Sequence, residues 1–558
     1  MGNELISYTK FKELAFPSIV IILALNLGSI FDAFFVSSYL GENALAAVEL
    51  FEPIVLIITI LETLFGIGGK ILTLNKKAVF DEKGSNTYFT LSILSTIIVS
   101  VIITALFILG KNYIIPLLYP PAEVLPHVEE YAVLLFLTVP VSAILGVLCE
   151  FVQIDGHEKL SAYLMIIANV SIIILDYIFF DMLHTSIYAA ALSTILGYSI
   201  GLVFYLKYHF DSTRTLHFIR PEGLSKAVKK SARIFKIGFP YASSYIFEII
   251  TLYTINTLMA LYLGNLGLVA FSICTFVYSL MFVIPIGLIM SMGSVVPVYY
   301  PQHDYKNINY LVRKAIILSL AITSIFIVLI WTVPDLFLMA YGLDSYENAA
   351  AIIHYMQIYS SVFIPEIIVE AAMTYYQAIK RTMLSTIISL LCMLAGPMLA
   401  LVLFFPVIGI NSVFICYCIG DLITIILLIG YIKLNGRRNP EYTGILFFKK
   451  DLIQVSEDFI LYSQNDKKDI KSYLKNLNAD ETCINDVESV IEHVFDKNSD
   501  VNVEILATDY DNYITLNFKF LGEYENLDNF KNEVSNFEML KFSETLGINN
   551  LEYTINKI

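Results

Sequence analysis

Charged residues are scarce in this sequence. Only 15% of its 558 residues are Asp, Glu, Lys or Arg, whereas 57% are hydrophobic. A soluble protein of ordinary composition has about 25% charged residues. The composition therefore argues against a wholly soluble chain and predicts many membrane-spanning segments.

Cysteine is also rare, and no pattern of metal ligands accompanies it. Five of the six cysteines lie in apolar runs, and no Cys-x-x-Cys or Cys/His cluster occurs. A zinc site or a disulfide framework is therefore not indicated. Because no nucleophile, metal or cofactor constellation occurs either, we expect neither an enzyme nor a bound cofactor.

Long apolar runs dominate residues 14–433. Twelve of them are long enough to cross a bilayer as helices, near residues 14–38, 47–74, 87–110, 128–152, 160–181, 187–208, 234–262, 267–297, 311–333, 351–376, 384–405 and 410–433. The predicted fold class is thus an all-α polytopic membrane protein with twelve transmembrane helices, followed by a small α+β domain.

Positive charge is unevenly distributed among the loops. The loops after every second span carry most of the bases, which include Lys76, Lys77, Lys83, Lys159, Lys226, Lys229, Lys230, Arg313, Lys380, Arg381, Arg437 and Arg438. Basic loops remain in the cytoplasm. We therefore expect a multi-pass protein of the cell membrane with both termini cytoplasmic.

The apolar part of the chain repeats itself. The segment 17–50 resembles 240–273, and 151–167 resembles 375–391. The repeat predicts two six-helix lobes, residues 1–208 and 234–435, joined by a basic cytoplasmic linker at 209–233. Parallel repeats of this kind are typical of transporters that bind substrate between the lobes and rock them to alternate access.

Two predicted spans each contain an acid. Asp32 lies in the first span, and Asp176 lies in the fifth together with Asn169. A carboxylate at bilayer depth costs at least about 2.5 kcal/mol, so such groups face a packed interior or a water-filled cavity. Two neighbouring acids would either share a proton or bind a cation.

Several motifs resemble the multidrug and toxic compound extrusion (MATE) family. They are Pro17 with Asp32 and YLGENALAAV in the first span and loop, the DGHEKLSAY turn, and ILDYIFF. The resemblance covers residues 10–435. It implies export of drugs or other organic cations in exchange for H⁺ or Na⁺.

The resemblance also assigns roles to individual residues. Asp32 and Asp176 match the family's N-lobe acids, and Tyr131 and Thr194 match their polar partners. Pro17 matches the proline at which the first helix bends. The family usually has Asn four residues before the fifth-helix acid, where this chain has Ile172; Asn169 is present instead. The loss of an amide ligand favours a proton site over a Na⁺ site.

Further acids lie in the predicted C-lobe. Glu248 and Glu366 resemble acids of a C-lobe cation site, and Glu370 shares a helix face with Glu366. Na⁺ could therefore bind at Asp32 and Asp176, or at Glu248 and Glu366. A larger set of acids is expected at helix interfaces or at the cavity wall: Glu52, Glu62, Glu150 and Asp421.

Residues 441–558 have a different character. They contain 23 acids and 11 Lys or Arg, a net charge of −12, so binding to nucleic acid is not expected. INDVESVIEHVF predicts a helix, and VNVEILATDY and NYITLNFKF predict strands. The order of elements resembles the GHKL-type ATPase fold of anti-sigma-factor kinases, but its helix Asn and Asp-Gly loop are missing. We expect a degenerate domain that does not bind ATP and that docks or regulates, with a cytoplasmic protein as its candidate partner.

Two other functions fit parts of the pattern. A flippase for lipid-linked polysaccharide would need a basic cavity for its anionic head group, whereas the charges within the predicted spans are mostly acidic. A membrane-anchored signalling protein acting through its C-terminal domain would not need acids in its spans. The sequence thus favours a monomeric transporter of small, cationic, amphipathic molecules that contacts membrane lipid.

Overall fold

The computed structural model describes residues 5–77, 81–155, 157–210, 214–221, 223–339, 348–477, 479–497, 501–521, 534–545 and 548–557. Its first part is a bundle of helices, in order α1 Ile6–Leu40, α2 Glu42–Leu61, α3 Gly68–Lys77, α4 Glu82–Leu117, α5 Leu125–Ile154, α6 Glu158–Asp176, α7 Tyr188–His209, α8 Leu224–Tyr262, α9 Asn265–Tyr299, α10 Tyr305–Thr332, α11 Asp335–Met339, α12 Ala349–Tyr359, α13 Phe363–Ala378, α14 Thr382–Leu390, α15 Gly396–Ile408 and α16 Asn411–Arg438.

Within the described residues, eleven helices are long and apolar enough to cross a membrane. They correspond to the second to twelfth predicted spans. The first predicted span lies within α1, part of whose side chains, including that of Pro17, falls outside the described residues. The count of twelve spans and the bend at Pro17 therefore remain predictions.

The linker predicted at 209–233 is helical over its second part. From Leu224 the chain forms one continuous helix, α8, that reaches Tyr262. The physical reason is that LSKAVKKSARIF carries apolar residues at helical spacing and contains neither Gly nor Pro. Basic charge identified the segment as a loop, but its periodicity is that of an amphipathic helix.

The first helix of each half packs against the second helix of the other half. Thus α1 lies along α9, and α8 lies along α2 and α3. These crossings are close: a methyl group on Gly238 of α8 would overlap the carbonyl of Leu64, and one on Gly287 of α9 would overlap Ile19. The C-terminal part of α1 instead packs on α6 and on the π-helical turn Tyr177–Met182 that follows it, where Phe35 stacks on Phe180.

The C-terminal domain begins after α16. Its elements are β1 Tyr442–Thr443, β2 Phe448–Lys449, α17 Lys450–Gln454, β3 Ser456–Leu461, α18 Lys467–Asn476, α19 Glu481–Lys497, β4 Val503–Asp509, β5 Tyr513–Leu521, β6 Leu540–Thr545 and β7 Ile548–Asn556. The last five strands form an antiparallel sheet in the order β3-β4-β5-β7-β6. One face of the sheet packs on α18 and α19 through residues such as Ile505, Phe518 and Leu551.

Candidate functional site: an acidic cavity between the halves

A cavity of about 510 Å³ lies between the two halves of the bundle. Six acids line it, and none of the described residues along its wall is Lys, Arg or His; the acids are Asp32, Glu49, Glu52, Glu62, Glu248 and Glu366. Six carboxylates cannot all be ionised in one enclosed space without counter-ions. The cavity must therefore hold protons, cations or both.

The predicted N-lobe residues come together at this cavity. Asp32, Tyr131, Asn169 and Thr194 all line its wall. Asp176 lies behind them, with no exposed surface, close enough to Asp32 for their carboxyl groups to interact electrostatically. The sequence thus predicted which side chains on α1, α5, α6 and α7 would converge.

Hydrogen bonding leaves these acids available to a ligand. Neither oxygen of Asp176 has a hydrogen-bond partner among the described residues, and Oδ1 of Asp32 has none either. The Ser193 hydroxyl lies beside Asp176 but does not reach hydrogen-bonding geometry. Thr194 donates to the Ala190 carbonyl, 3.0 Å away, which leaves its oxygen lone pairs free.

Ile172 occupies the position where the resemblance predicted an amide. It lines the cavity and faces Gly197 of α7, where a methyl group would overlap the Ile172 side chain. Asn169 lies one turn earlier and donates to the Met165 carbonyl, at 2.9 Å. The only amide oxygen offered by this stretch of α6 is therefore that of Asn169.

The predicted C-lobe acids are also brought together. Glu248 and Glu366 line the cavity, while Glu370 accepts a hydrogen bond from Thr374 at 3.4 Å. Glu366 and the fully buried Asp421 of α16 are close enough for their carboxyl groups to interact electrostatically, although neither oxygen of Asp421 has a hydrogen-bond partner among the described residues. Two buried carboxyl groups this close to each other do not both ionise readily, so the pair favours a state in which one of them is protonated.

Two acids on α2 complete the wall between the halves. Glu52 interacts electrostatically with both Asp32 and Glu248, so it connects the two acid groups. Glu49 is 5% exposed, points toward the hydroxyls of Ser272 and Thr275 on α9, and keeps Oε1 without a partner. Glu49 is not among the acids predicted from the sequence, although its spacing from Glu52 places both side chains on one helix face.

The described part of the bundle contains three π-helical turns, two of which contribute a residue to the cavity wall, Glu62 and Met393. One begins at Glu62 (Glu62–Ile67), one directly follows Asp176 (Tyr177–Met182), and one comprises Leu391–Ala395. Such turns often mark functional sites because they leave backbone groups out of the helical ladder. In the third, the Met393 carbonyl instead accepts a hydrogen bond from Thr251, at 2.6 Å.

Aromatic rings are concentrated on the C-terminal side of the cavity. That side carries Phe271, Phe276, Tyr278, Tyr359 and Tyr417, whereas Tyr131 and Tyr198 are the rings lining the N-terminal side within the described residues. Phe271 and Tyr359 meet edge to face, with centroids 6.1 Å apart. An aromatic wall beside carboxylates is a surface that suits organic cations.

A membrane bundle of two interlocked halves around a polar cavity defines a transporter. The sequence model of the MatE family matches residues 17–178 and 240–402, one match in each half and together more than half of the chain. The chain therefore belongs to the MatE family, whose members are transporters and not enzymes.

Two curated relatives are both described as multidrug export protein MepA. The one from Staphylococcus haemolyticus is 26% identical over 44% of this chain and 54% of its own length. The one from Staphylococcus saprophyticus is 25% identical over 54% of this chain and 66% of its own length. The chain thus matches only about half to two thirds of these relatives.

Among solved structures, the fold is similar to the inward-facing conformation of a multidrug resistance MATE family transporter of the MOP superfamily. The TM-score is 0.67 at 18% identity, covering 75% of this chain and 99% of that one. This similarity supports the fold of the bundle.

Proposed function

We propose that this protein exports small organic cations by antiport with H⁺ or Na⁺, with the cavity opening alternately to the two sides of the membrane. The observation that supports this most strongly is the wall of six acids without a basic residue among the described lining. The curated relatives are named as multidrug exporters, which agrees with a cavity that has aromatic and acidic surfaces.

The coupling site in the N-terminal half is proposed to be Asp32 with Asp176. Asp176 is fully buried and Asp32 is half-buried at the cavity wall. Because Oδ1 of Asp32 and both oxygens of Asp176 lack partners among the described residues, each proton that binds removes an uncompensated charge. Tyr131 and Thr194 act as hydrogen-bond partners. A cationic substrate and a proton then compete for the same carboxylates, and this mutual exclusion is what antiport requires.

A second coupling site is proposed in the C-terminal half. Glu366 with Asp421 would hold one proton between them. Glu248 lines the same cavity as Glu366, and Glu370 lies one helical turn from Glu366. Because Glu52 interacts with both Asp32 and Glu248, the two sites would not titrate independently. Loss of a proton from one half would thereby change the affinity of the other for a cation.

The alternative functions fit this cavity less well. A flippase for lipid-linked polysaccharide must accommodate an anionic head group, and six acids would repel it. A protein that only signals through its C-terminal domain would not need buried, unpartnered acids, each of which costs stability.

Other properties follow as proposals from the sequence. The basic loops support a cell-membrane protein with both termini cytoplasmic, acting as a monomer without a cofactor other than the coupling ion. The C-terminal domain should not bind ATP. Calorimetry of the full chain with Mg-ATP checks this, and micromolar binding would contradict it.

Transport by the purified chain in proteoliposomes tests the proposal. A fluorescent organic cation such as ethidium is offered under a pH gradient or a Na⁺ gradient imposed separately. We expect one gradient to drive uptake in wild type and neither to do so in Asp32→Asn. Glu123→Gln, which removes an exposed acid, is the matched control. Uptake by Asp32→Asn at the wild-type rate would contradict this assignment and favour Glu248 with Glu366.

A further inference from the structure

The C-terminal domain contacts the bundle through the sheet face that α18 and α19 leave uncovered. Glu504 of β4 and Lys519 of β5 are cross-strand neighbours on this face, and Asn550 of β7 is the next neighbour of Lys519. Glu504 and Lys519 are 5% and 1% exposed. A polar face that would ordinarily be solvated is therefore buried against the helices.

Lys519 fixes this face to the C-terminal half. Its ammonium group pairs with Asp304, in the connection between α9 and α10, and both side chains are almost completely buried. The same Nζ lies 4.2 Å from the centre of the Tyr299 ring. Gln302 donates to Asn550 nearby, at 3.4 Å.

A short strap formed by β1 and β2 adds a second attachment to the C-terminal half. Three tyrosine hydroxyls donate to successive strap carbonyls: Tyr376 to Ile445 at 2.7 Å, Tyr375 to Leu446 at 2.7 Å and Tyr300 to Phe447 at 3.3 Å. Arg381 lies over the Phe447 ring at 4.0 Å. The domain is thus anchored to α9, α13 and their flanking turns.

Glu504 reaches from this anchored domain to the other half. Its Oε1 accepts the backbone N–H of Ile6, the first residue of α1, at 2.6 Å, and its Oε2 accepts from Asn307 at 3.3 Å. Ser7 donates to Asn307 at 2.6 Å. A carboxylate at this position satisfies a free helix N–H and complements the helix dipole.

Helix α1 thereby connects the domain to the acidic cavity. It carries Asp32 in its C-terminal part, while its first turn packs on α10, where Tyr8 meets the edge of Tyr310 with centroids 5.7 Å apart. Opening the cavity on this side, here called the domain side, requires α1 to separate from α9. The equivalent crossing of α8 on α2 has no acid–base pair among its described contacts.

We propose that the C-terminal domain is a clamp that holds the first turn of α1 against the C-terminal half and so restrains opening of the cavity on the domain side. This inference rests on the proposed alternating access. It assigns the domain a mechanical role within the transporter itself, without an external partner.

The test measures access to the cavity rather than export. Ser279 lines the cavity and has no role in the proposed coupling sites, so Ser279→Cys provides a reporter for a membrane-impermeant maleimide added from the domain side. The parent chain, with its six native cysteines, gives the background. The reporter is combined with Glu504→Met, which frees α1, or with Lys519→Met, which frees the domain.

We expect both variants to label at least severalfold faster than the reporter alone. Lys541→Met, which removes an exposed lysine of the same sheet, should not change the rate. Exchanging the charges in Asp304→Lys with Lys519→Asp should slow labelling relative to Lys519→Met.

Because Glu504→Met leaves the buried ion pair intact, it stays informative if Lys519→Met fails to insert. If the reporter with Glu504→Met labels at the same rate as the reporter alone, the clamp is overturned, whereas faster labelling without cation export would contradict only the proposed function.

Discussion

The protein buries acids in two places, and it treats them differently. At the cavity, Oδ1 of Asp32 and both oxygens of Asp176 behind it lack hydrogen-bond partners among the described residues, and no base lines the wall described there. At the domain junction, Asp304 is paired with Lys519, and both oxygens of Glu504 accept hydrogen bonds. Asp176, Asp304 and Glu504 are almost entirely removed from solvent, whereas Asp32 is half-buried at the cavity wall.

The difference distinguishes acids suited to binding a ligand from acids that hold two parts of the structure together. A buried carboxylate with its partners in place contributes to a fixed arrangement, whereas one without partners costs free energy until a ligand or a proton arrives. Under the proposed function, the cavity acids belong to the ion-binding site. The junction acids belong to an interface in which their partners are already present.

Neutralising a cavity acid should have the largest effect on transport and little effect on folding. We expect Asp32→Asn and Asp176→Asn each to reduce gradient-driven export at least about tenfold, since coupling energies of 1–3 kcal/mol correspond to 5–150-fold. Thermal stability should be unchanged or raised, because the amide removes an uncompensated charge. Export assays and thermal unfolding of the same preparations check both parts. A variant that exports normally but unfolds at a lower temperature would contradict this expectation, because the acid would then stabilise the fold without being needed for transport.

Breaking the ion pair at the domain junction should instead lower the stability of domain docking. Lys519→Met leaves Asp304 buried and unpaired, which should weaken docking of the domain by about 3–5 kcal/mol. Hydrogen exchange of β4 and β5 in the full chain measures this loss. Lys541→Met should stay within about 0.5 kcal/mol of wild type, as is usual for exposed sites. If β4 and β5 are equally protected from exchange in Lys519→Met and Lys541→Met, the ion pair between Asp304 and Lys519 does not hold the domain.

The sequence predicts the cavity better than the junction. Acids stand out within apolar spans, so Asp32, Asp176, Glu248 and Glu366 are identifiable from the sequence alone. Glu49 is missed because it lies at the start of the second predicted span, where an acid is unremarkable. The π-helical turns carry no sequence signal, since they depend on packing of neighbouring helices.

The strands show why the junction could not be predicted. In VNVEILATDY and NYITLNFKF the alternation places Glu504 and Lys519 on one face, opposite Ile505 and Phe518. Such alternation normally indicates a solvated polar face. Only the tertiary structure shows that Asp304 and the first turn of α1 cover it, because local periodicity contains no information about what packs on the second face.

The pH dependence of docking should be moderate and should come largely from Glu504. Burial, and then Asp304, raises the pKa of its carboxyl to about 7, although the Ile6 N–H, Lys519 and Asn307 act in the opposite direction. The docked state therefore binds a proton that the free domain releases. Docking is strongest below the ordinary pKa of 4.5 and weakens as the pH rises toward 7.

Between pH 6 and 8 this linkage should weaken docking by about 1.4 kcal/mol. Other groups near Glu504 are Tyr299, Lys306 and Asp458; burial, and then Asp304, also raises the pKa of Asp458, which has the same sign. Glu504→Gln should therefore lose most of the dependence between pH 6 and 8. Hydrogen exchange of β4, corrected for intrinsic rates and measured across this range, checks the sign. Stronger docking at pH 8 than at pH 6 in wild type would contradict it.

The smallest expected effect concerns Glu49, which belongs to the cavity but touches both halves. Its unpartnered Oε1 lies beside the aromatic wall that includes Phe271 and Tyr359. A bound organic cation would gain attraction from both, worth about 1 kcal/mol for the carboxylate in a partly hydrated site. Glu49→Gln should thus weaken binding of tetraphenylphosphonium about fivefold, while Glu123→Gln leaves it unchanged.

Because Glu49 is separate from Asp32 and Asp176, export at saturating substrate should remain coupled. If Glu49→Gln instead abolishes coupling and leaves affinity intact, then Glu49 belongs with the proton-binding acids rather than with the aromatic wall.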